Sequence, residues 1–168
     1  MVFVDILERH RRTVREFLAR SPFGYRDLSD EELHLFSAAL VHDSFSNEHG
    51  IPENNERLEF LGDAVLEFIA CEHIYLNTDF NEGAMTDNKQ KIVCNSAISE
   101  AVLASGINLD GVILTGNGHT DSVTGRSEIN ETMRADAFEA MLGAIYLTKG
   151  TDEVRRVIRE ILIVPAHI

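Results

Sequence analysis

Apolar residues recur every three or four positions along residues 54–75, NNERLEFLGDAVLEFIACEHIY, and this spacing constrains the fold more than any other feature of the sequence. A strand would instead alternate apolar and polar residues, and no segment of the chain sustains that alternation. On a helical wheel the apolar residues form a broad face that should pack into a core. Its members are Leu58, Leu61, Val65, Phe68 and Ile69.

Similar spacing predicts helices in most of the remaining chain, so the expected fold class is all-α. Ser29 followed by Glu32 is a capping-box pattern, which predicts a helix that begins there and runs to about His42. The polar segment after it, SFSNEHGIP, is expected to be a loop. The predicted helices cover residues 2–20, 29–42, 52–76, 85–105, 129–148 and 151–163.

The chain has 168 residues, 44% of them hydrophobic, which is enough to bury a sizeable core. No repeat or low-complexity linker divides residues 1–168, so we expect a single domain onto which a helix at residues 1–20 packs. No run of about 18 apolar residues could span a membrane, and the first residues do not resemble a secretory leader. The sequence therefore predicts a cytoplasmic protein with no membrane partner.

The formal net charge of −13 argues against a polyanionic partner, because proteins that bind nucleic acids usually carry a basic surface. That objection weakens if several acids hold divalent cations, since a bound metal inverts the local field. Residues 1–20 are locally basic, with five arginines against three acids, and could form either a phosphate-binding patch or a solvated helix face. Net charge alone therefore leaves nucleic-acid binding open.

Several other kinds of site are not favoured. The histidines and cysteines show no ligand spacing for zinc, and Cys71 and Cys94 are expected to be buried thiols without a disulfide. The Gly-rich stretch 115–127 matches neither a dinucleotide fingerprint nor a phosphate loop, so we predict a mobile loop. His42, at the end of its helix, is expected to bond to a loop and to have no catalytic role.

Two of the apolar segments also carry acids at helical spacing, which places those acids on one face of each helix. Gly62, inside the first segment, costs about 1 kcal/mol in a helix interior, which predicts close approach by another helix or a substrate backbone. If the two helices pack together, their acids form one cluster. The acids are Glu56, Glu59, Asp63 and Glu67 in residues 54–75, and Asp136 and Glu139 in RADAFEAMLGAIYL, residues 134–147.

Clustered carboxylates are costly in a partly buried site unless they are protonated or neutralised, and sites built from oxygen ligands alone suit Mg²⁺ or Mn²⁺. Such a cation can activate a water and stabilise a leaving oxygen, which is the chemistry of phosphodiester hydrolysis. Spacing alone leaves a second interpretation open, in which these acids are the solvated stripe of amphipathic helices.

The segment NERLEFLGDAV, residues 55–65, resembles the signature motif of the ribonuclease III family of double-strand-specific RNA endonucleases. Further pieces occur in the family's order and approximate spacing: ALVHDS (39–44), EGAMTDNKQKIVCN (82–95) and RADAFEAMLGAIYL (134–147). The resemblance covers about residues 30–160. It implies the helical endonuclease-domain fold of that family.

The resemblance also assigns the catalytic carboxylates, which are Glu59, Asp63, Asp136 and Glu139. These four are expected to hold Mg²⁺, for which Mn²⁺ can substitute, and Glu139 is expected to be the most critical ligand. The implied reaction is hydrolysis of double-stranded RNA by a metal-activated water. Its products would carry a 5′-phosphate, a 3′-hydroxyl and a short 3′ overhang.

Other residues in the matched motifs take accessory roles. Phe60 matches an aromatic that inserts into a socket on the partner subunit, which implies a homodimer whose two sites cut opposite strands. Glu56 and Glu82 match acids that border the family's cleavage valley. The helix that contacts the RNA backbone would carry Lys89, Lys91 and Asn95.

The sequence also departs from the family pattern. Bacterial relatives usually continue into a double-stranded-RNA-binding domain, whereas this sequence ends at Ile168, so no such domain is expected and a separate RNA-binding partner could replace it. Asp87 and Asn88 stand where many relatives are more basic, which lowers the expected affinity for RNA. Two alternatives stay open: a catalytically idle RNA-binding scaffold of the same fold, and an all-α, Mg²⁺-dependent nucleotide pyrophosphatase.

Overall fold

The computed structural model describes residues 2–119 and 128–166, with side chains from Ile6 onward. Among these residues there are no strands beyond one isolated parallel bridge between Val41 and Leu114, so the predicted all-α class is confirmed. None of the described helices is long and apolar enough to cross a membrane. The helices are α1 Val2–Leu18, α2 Asp30–Ala39, α3 Asp43–His49, α4 Glu56–Asn77, α5 Glu82–Val93, α6 Asn95–Ser105, α7 Glu131–Lys149, α8 Thr151–Ile158 and α9 Val164–Ala166, with 3₁₀ turns at Leu109–Val112 and Asn117–His119 and a π-helical turn at Arg159–Ile163.

The predicted capping box at the start of α2 is present. The Ser29 hydroxyl accepts a hydrogen bond from the Glu32 N–H at 3.1 Å, and the Glu32 carboxylate accepts one from the Ser29 N–H at 2.8 Å. α2 nevertheless ends at Ala39, because His42 has extended backbone and caps a new helix, its Nδ1 accepting from the Ser44 N–H at 3.2 Å. The segment expected to be a loop therefore contains α3.

The single helix expected over residues 85–105 is two helices. Cys94 has extended backbone between them, with ψ of 149°, and Asn and Ser residues such as those that follow favour a helix start over a helix interior. α5 packs against α4, whereas α6 packs against α7, so the break lets Ile92 and Ile98 both reach the core. Cys94 is half-buried and Cys71 is exposed, so the expectation of two buried thiols is wrong.

α7 is the centre of the core. From Met133 to Ile145, every residue except Asp136 is buried. α2, α4, α6 and α8 all pack against it. Because α7 has neighbours on several sides, its apolar residues extend around most of its circumference.

α4 and α7 lie close together and run antiparallel. A Cβ atom at Gly62 would overlap the carbonyl oxygen of Glu139, and one at Gly143 would overlap the carbonyl oxygen of Leu58. Advancing from Leu58 to Gly62 on α4 therefore corresponds to moving back from Gly143 to Glu139 on α7. This contact is the close helix approach that Gly62 predicted, since backbones can meet at this distance only where there is no side chain.

α4 has two apolar faces, of which one is buried. Leu66 and Ile69 are 0% and 1% exposed and belong to the core, whereas Phe60 and Phe68 are 82% and 58% exposed. The expectation that Phe68 packs into the core is therefore wrong. The described neighbours of α4 cover only part of its circumference, so the second apolar face is left at the surface.

Candidate metal centre

Three carboxylates converge where α4 and α7 pack together. Glu59 comes from α4 and Asp136 and Glu139 come from α7, and each offers a carboxylate oxygen within 4.8 Å of the other two. The contact at Gly62 brings the backbone of Glu139 against α4, and the spacing of three residues places Asp136 on the same side of α7. Folding therefore joins acids from the two predicted helices in one group.

Burial raises the pKa of all three carboxyl groups. Glu139 is 6% exposed, and its loss of hydration, followed by the charges of nearby acids, raises its pKa to about 8. Burial and then the charge of Asp136 raise the pKa of Glu59 to about 7, and burial is also the main cause of the raised pKa of Asp136. Three carboxylates this close together are stable only when they hold protons or a cation.

The group suits a hard divalent cation, because its ligands are all carboxylate oxygens. Mg²⁺ prefers oxygen ligands in octahedral geometry and commonly keeps several waters, so it needs few protein ligands. The three members include no histidine or cysteine, which zinc sites usually contain. The chemistry of the ligands therefore matches Mg²⁺ or Mn²⁺.

Two further acids of α4 lie at the solvent edge of this centre. Asp63 is exposed, one turn after Glu59, and its charge adds to the burial that raises the pKa of Glu139. Glu56 is exposed, one turn before Glu59, and Asn54 holds it: the Asn54 amide donates to the Glu56 carboxylate at 2.9 Å and accepts from the Glu56 N–H at 3.2 Å. Asp63 and Glu56 thus face solvent, outside the group of three, in which Glu139 is buried and the other two are half-buried.

Residues at the start of α3 border the centre, and the sequence did not indicate this. The charge of Asp43 adds to the burial that raises the pKa of Glu59 and Asp136, whereas charge on His42 opposes the rise at Asp136. The Nδ1 atom of His42 lies 3.0 Å from the Asp43 carboxylate, and its ring packs edge-on against His119 at 5.6 Å. His42 and Asp43 belong to the ALVHDS motif, and that motif was the sequence signal that could have placed them near the centre.

The residues predicted to contact RNA lie on α5 and at the start of α6. The Lys89 ammonium is 2.5 Å from the Glu67 carboxylate on α4, so its charge is engaged by that acid. Lys91 is exposed, and its ammonium donates to the Asn88 amide oxygen at 3.1 Å. Asn95 is the half-buried first residue of α6.

Glu82 lies outside the group of three carboxylates, at the start of α5. It borders a groove of about 440 Å³ between α4 and α5, whose apolar walls include Phe68, Tyr75 and Met85. Phe60 lies nearer the N-terminus of α4 than this groove and is 82% exposed. α4 therefore presents an apolar surface that the described part of the chain does not cover.

Residues 116–119 of the Gly-rich stretch lie beside α3, and Glu128, which follows the stretch, contacts them. The Glu128 N–H donates to the His119 carbonyl at 2.6 Å, and the Gly116 N–H donates to the Ser44 hydroxyl at 3.1 Å. The loop predicted over 115–127 falls largely on residues 120–127, which lie outside the described residues. His119 and Glu128 therefore lie next to residues that border the carboxylates.

Comparison with protein families gives a match to a model described as Ribonuclease-III-like over residues 32–166. Ribonuclease 3 of Syntrophomonas wolfei is 39% identical over 153 residues, which cover 90% of this chain and 61% of that protein. Ribonuclease 3 of Symbiobacterium thermophilum is 38% identical, covering 94% of this chain and 63% of that protein. The chain thus spans about three fifths of the length of these curated relatives.

Solved structures show the same arrangement of helices. The nuclease domain of ribonuclease III from Campylobacter jejuni matches with a TM-score of 0.66 and 28% identity, covering 92% of this chain and 97% of that one. That structure is described as showing flexibility in a region involved in dimer formation. A second structure of the same nuclease domain matches with a TM-score of 0.64 and 27% identity.

Proposed function

Because the chain belongs to the ribonuclease-III-like family, we propose that it is a divalent-cation-dependent endonuclease that hydrolyses double-stranded RNA. The observation that carries this proposal is the group formed by Glu59, Asp136 and Glu139, whose carboxylate oxygens lie within 4.8 Å of one another. The products would have 5′-phosphates, 3′-hydroxyls and short 3′ overhangs, as the resemblance implies.

Glu59, Asp63, Asp136 and Glu139 would hold the cation, with Mg²⁺ as the preferred ion and Mn²⁺ as a substitute. When bound there, the cation would supply a water of lowered pKa and charge stabilisation for the leaving oxygen of the phosphodiester. Glu139 is the most restrained of the four, because buried neighbours in α7 surround it. The exposed Asp63 stands on the side from which a phosphate would approach.

The RNA backbone would be held by phosphate contacts from the start of α6 and the exposed side of α5. Lys91 and Asn95 supply a charge and an amide there, and Lys89 could serve only by exchanging Glu67 for a phosphate. Because binding would depend on phosphate contacts, affinity should fall as salt is added, with a slope set by the number of those contacts. The net charge of −13 should keep the affinity for RNA low. Binding of labelled duplex RNA over a salt series, with Lys91→Ala beside the parent chain, tests this: the variant should bind more weakly and show a shallower slope.

The exposed apolar face of α4 would form a homodimer. Phe60, Phe68 and Tyr75 are 82%, 58% and 72% exposed, and a surface of this kind on one helix marks an interaction site. The groove between α4 and α5 would receive Phe60 of the partner subunit. Two copies would place two centres on one duplex, one for each strand.

Analytical ultracentrifugation tests the dimer. Phe60→Ala should raise the dimer dissociation constant by at least about tenfold, since a buried aromatic anchor at an interface is worth more than about 1.4 kcal/mol. Phe80→Ala, at a 45% exposed phenylalanine outside α4, is the matched control and should leave it unchanged. Equal dissociation constants for Phe60→Ala and the parent chain would refute this interface.

The reaction is tested by incubating long, end-labelled double-stranded RNA at low salt with Mg²⁺, and with Ca²⁺ in a parallel sample. Short duplexes with 5′-phosphates and 3′ overhangs are expected with Mg²⁺ alone. Intact RNA under both conditions, with duplex binding retained, would favour an idle RNA-binding scaffold. Hydrolysis of free nucleoside triphosphates in place of RNA would favour a pyrophosphatase.

Glu139→Ala tests the centre itself. Cleavage should fall by about a thousandfold or more, because several kcal/mol of charge stabilisation depend on the cation and each 1.4 kcal/mol is a factor of ten. The variant should stay folded and dimeric. Glu100→Ala removes an exposed acid of α6 with the same change in charge and should leave cleavage intact. Loss of folding in Glu139→Ala alone would make this acid structural.

A further inference from the structure

An ion pair between α4 and α5 lies beside the carboxylate centre. The Lys89 ammonium of α5 is 2.5 Å from the Glu67 carboxylate of α4, and the two side chains are 21% and 36% exposed. Because both charges are partly shielded from water, they interact more strongly than a fully exposed pair would. Glu67 is not among the four proposed cation ligands, although it stands on the helix that supplies two of them.

Glu67 continues the row of acids on α4 that supplies the centre. It follows Asp63 by four residues, so the two side chains are neighbours on the helix surface. Burial is the main cause of the raised pKa of Glu139, and Glu67 is one of the acids whose charge adds to it. Eight residues, about 12 Å along the helix, separate Glu67 from Glu59. A free Glu67 could therefore draw a cation toward the far end of the row.

Lys89 neutralises this further acid. Its hydrogen bond to Glu67 is the main cause of the raised pKa of Lys89, and the charge of Asp63 adds to it, so the ammonium also acts on the solvent edge of the centre. Within the described part of the chain, Glu67 is the one acid of this row that forms an ion pair with a lysine or arginine. The charges at the other acids are left for a cation.

A second ion pair of the same kind lies away from the centre. Lys149 of α7 is 2.5 Å from Glu32 of α2, and their side chains are 24% and 23% exposed. Lys149 follows Glu139 by ten residues, which is about 15 Å along α7. The Lys149–Glu32 pair thus resembles the Lys89–Glu67 pair in length and exposure and differs from it in distance from the carboxylates.

We propose that Lys89 and Glu67 are positioning residues for the cation: Lys89 keeps Glu67 away from the centre and so confines the cation to the four proposed ligands. This inference rests on the proposed nuclease, because it concerns the cation of that reaction. Without the ammonium, Glu67 competes for the cation, which binds more tightly but farther from Asp136. Affinity for the cation and the rate of cleavage therefore change in opposite directions.

Calorimetric titration of the full chain with Mg²⁺, without RNA, tests the effect on affinity. Lys89→Met should bind Mg²⁺ about three- to tenfold more tightly, the effect of one unit charge near a divalent ion. Glu67→Gln leaves the ammonium unpaired and should bind Mg²⁺ more weakly by a similar factor. The double variant should bind like the parent chain. Lys149→Met is the matched control, which should lose similar stability and keep the parent affinity.

The signs of these changes decide the result. A purely structural pair would give Lys89→Met and Glu67→Gln the same change in Mg²⁺ affinity, because both variants break the same contact. Equal changes, or a Lys89→Met variant that binds Mg²⁺ like the parent chain, would overturn the proposal. A parent chain that binds no Mg²⁺ would overturn both this proposal and the proposed nuclease.

Single-turnover cleavage of duplex RNA at saturating Mg²⁺ and RNA tests the position of the cation. Lys89→Met should be at least about tenfold slower, since a displacement of about 1 Å can cost roughly a hundredfold in rate. The double variant should recover most of the parent rate, because Glu67 no longer competes. A double variant as slow as Lys89→Met would overturn the positioning role. Intact RNA in the parent chain, with the affinity shifts present, would count against the nuclease and for the pair.

Discussion

α4 and α7 are both long, apolar helices that carry acids, yet they occupy different positions in the fold. α7 is buried on most of its circumference, and even Glu139 is only 6% exposed. α4 is buried on one face only, so Phe60 is 82% exposed although its neighbour Leu58 belongs to the core. The hydrophobic content of a helix therefore does not reveal how many of its faces meet the core.

The acids follow the same division. At 3.6 residues per turn, the acids of α4 lie between its buried apolar face and its exposed apolar face. These acids are Glu56, Glu59, Asp63 and Glu67. α7 has no such boundary, so Asp136 and Glu139 are set among buried residues. The centre thus combines a buried carboxylate, Glu139, with an exposed one, Asp63. Under the proposed function, the buried carboxylate would hold a cation firmly and the exposed one would leave it open to substrate.

The largest difference between α4 and α7 is expected when one phenylalanine on each helix is replaced by alanine. Phe138→Ala, on α7, should lower the free energy of unfolding by about 3–5 kcal/mol, since Phe138 is 0% exposed and a cavity would remain. Phe60→Ala should change the stability of the monomer by less than about 0.5 kcal/mol. Urea unfolding, at protein concentrations below the dimer dissociation constant, measures the free energy of unfolding of both variants. If Phe138→Ala and Phe60→Ala lowered the free energy of unfolding equally, α4 would have no exposed apolar face.

The next test addresses the contact between the two helices. Gly62→Ala should cost about 2–3 kcal/mol, because its Cβ would overlap the Glu139 carbonyl and force the helices apart. Gly83→Ala is the matched control in α5, where the nearest atom to a new Cβ is the Asn81 side-chain oxygen at 3.7 Å. It should be neutral or slightly stabilising, since alanine favours helix. Thermal unfolding that ranks the two variants equally would contradict the close antiparallel packing.

A smaller effect is expected from two serines that differ in partner. Ser99 accepts from the Arg134 guanidinium of α7 at 2.7 Å, and Asp110 holds the same guanidinium at 2.5 Å. Ser99→Ala should cost about 1–2 kcal/mol, because a buried donor loses its acceptor. Ser37→Ala removes a buried hydroxyl without a partner and should be neutral or stabilising. Chemical denaturation compares them, and a larger loss in Ser37→Ala would show that its hydroxyl has a partner in the protein.

The last test concerns the pH dependence of the stability of the metal-free chain. The pKa of Glu139 rises from its ordinary 4.5 to about 8 on folding, so between those values the folded state binds more protons than the unfolded state. Stability should be greatest at the acid end of this window and fall as pH rises through it. Tm should therefore fall progressively as the pH rises from about 4.5 to about 8, because the folded state loses the proton that stabilised it.

Calorimetry of the parent chain and Glu139→Gln checks this, since the amide cannot ionise and should flatten the slope. Adding Mg²⁺ to the parent chain should raise Tm most at the alkaline end, where the cation replaces the lost protons. A slope that is the same in both proteins would assign the pH dependence to other groups.

Much of the helical fold was predictable because its signals are local. The capping box at Ser29 and Glu32 acts within one turn, and it is present as predicted. The break at Cys94 was missed, because apolar residues on both sides of it keep helical spacing, and this spacing masked the weak helix-start signal of Asn95 and Ser96. Separate packing against α4 and α7 divides the two helices. α3 was missed for a similar reason, since its first turn depends on a cap from His42.

The candidate centre was only partly predictable. The two acid-bearing segments could be found from spacing, and Gly62 indicated that something approaches α4 closely. Which acids share a site depends on the register between two helices distant in the chain, set by Gly62 and Gly143. The contribution of Asp43 depends on a turn after α2 that periodicity does not describe.

The sequence by itself determined the helical class, the helices that carry the acids, and the family resemblance, because each depends on residues close together in the chain. Tertiary structure alone decided that Glu139 is buried and Asp63 exposed, that Phe68 faces outward, and that Lys89 pairs with Glu67. These properties arise from what packs against each side chain, and burial and charge act through space between residues that are far apart in sequence.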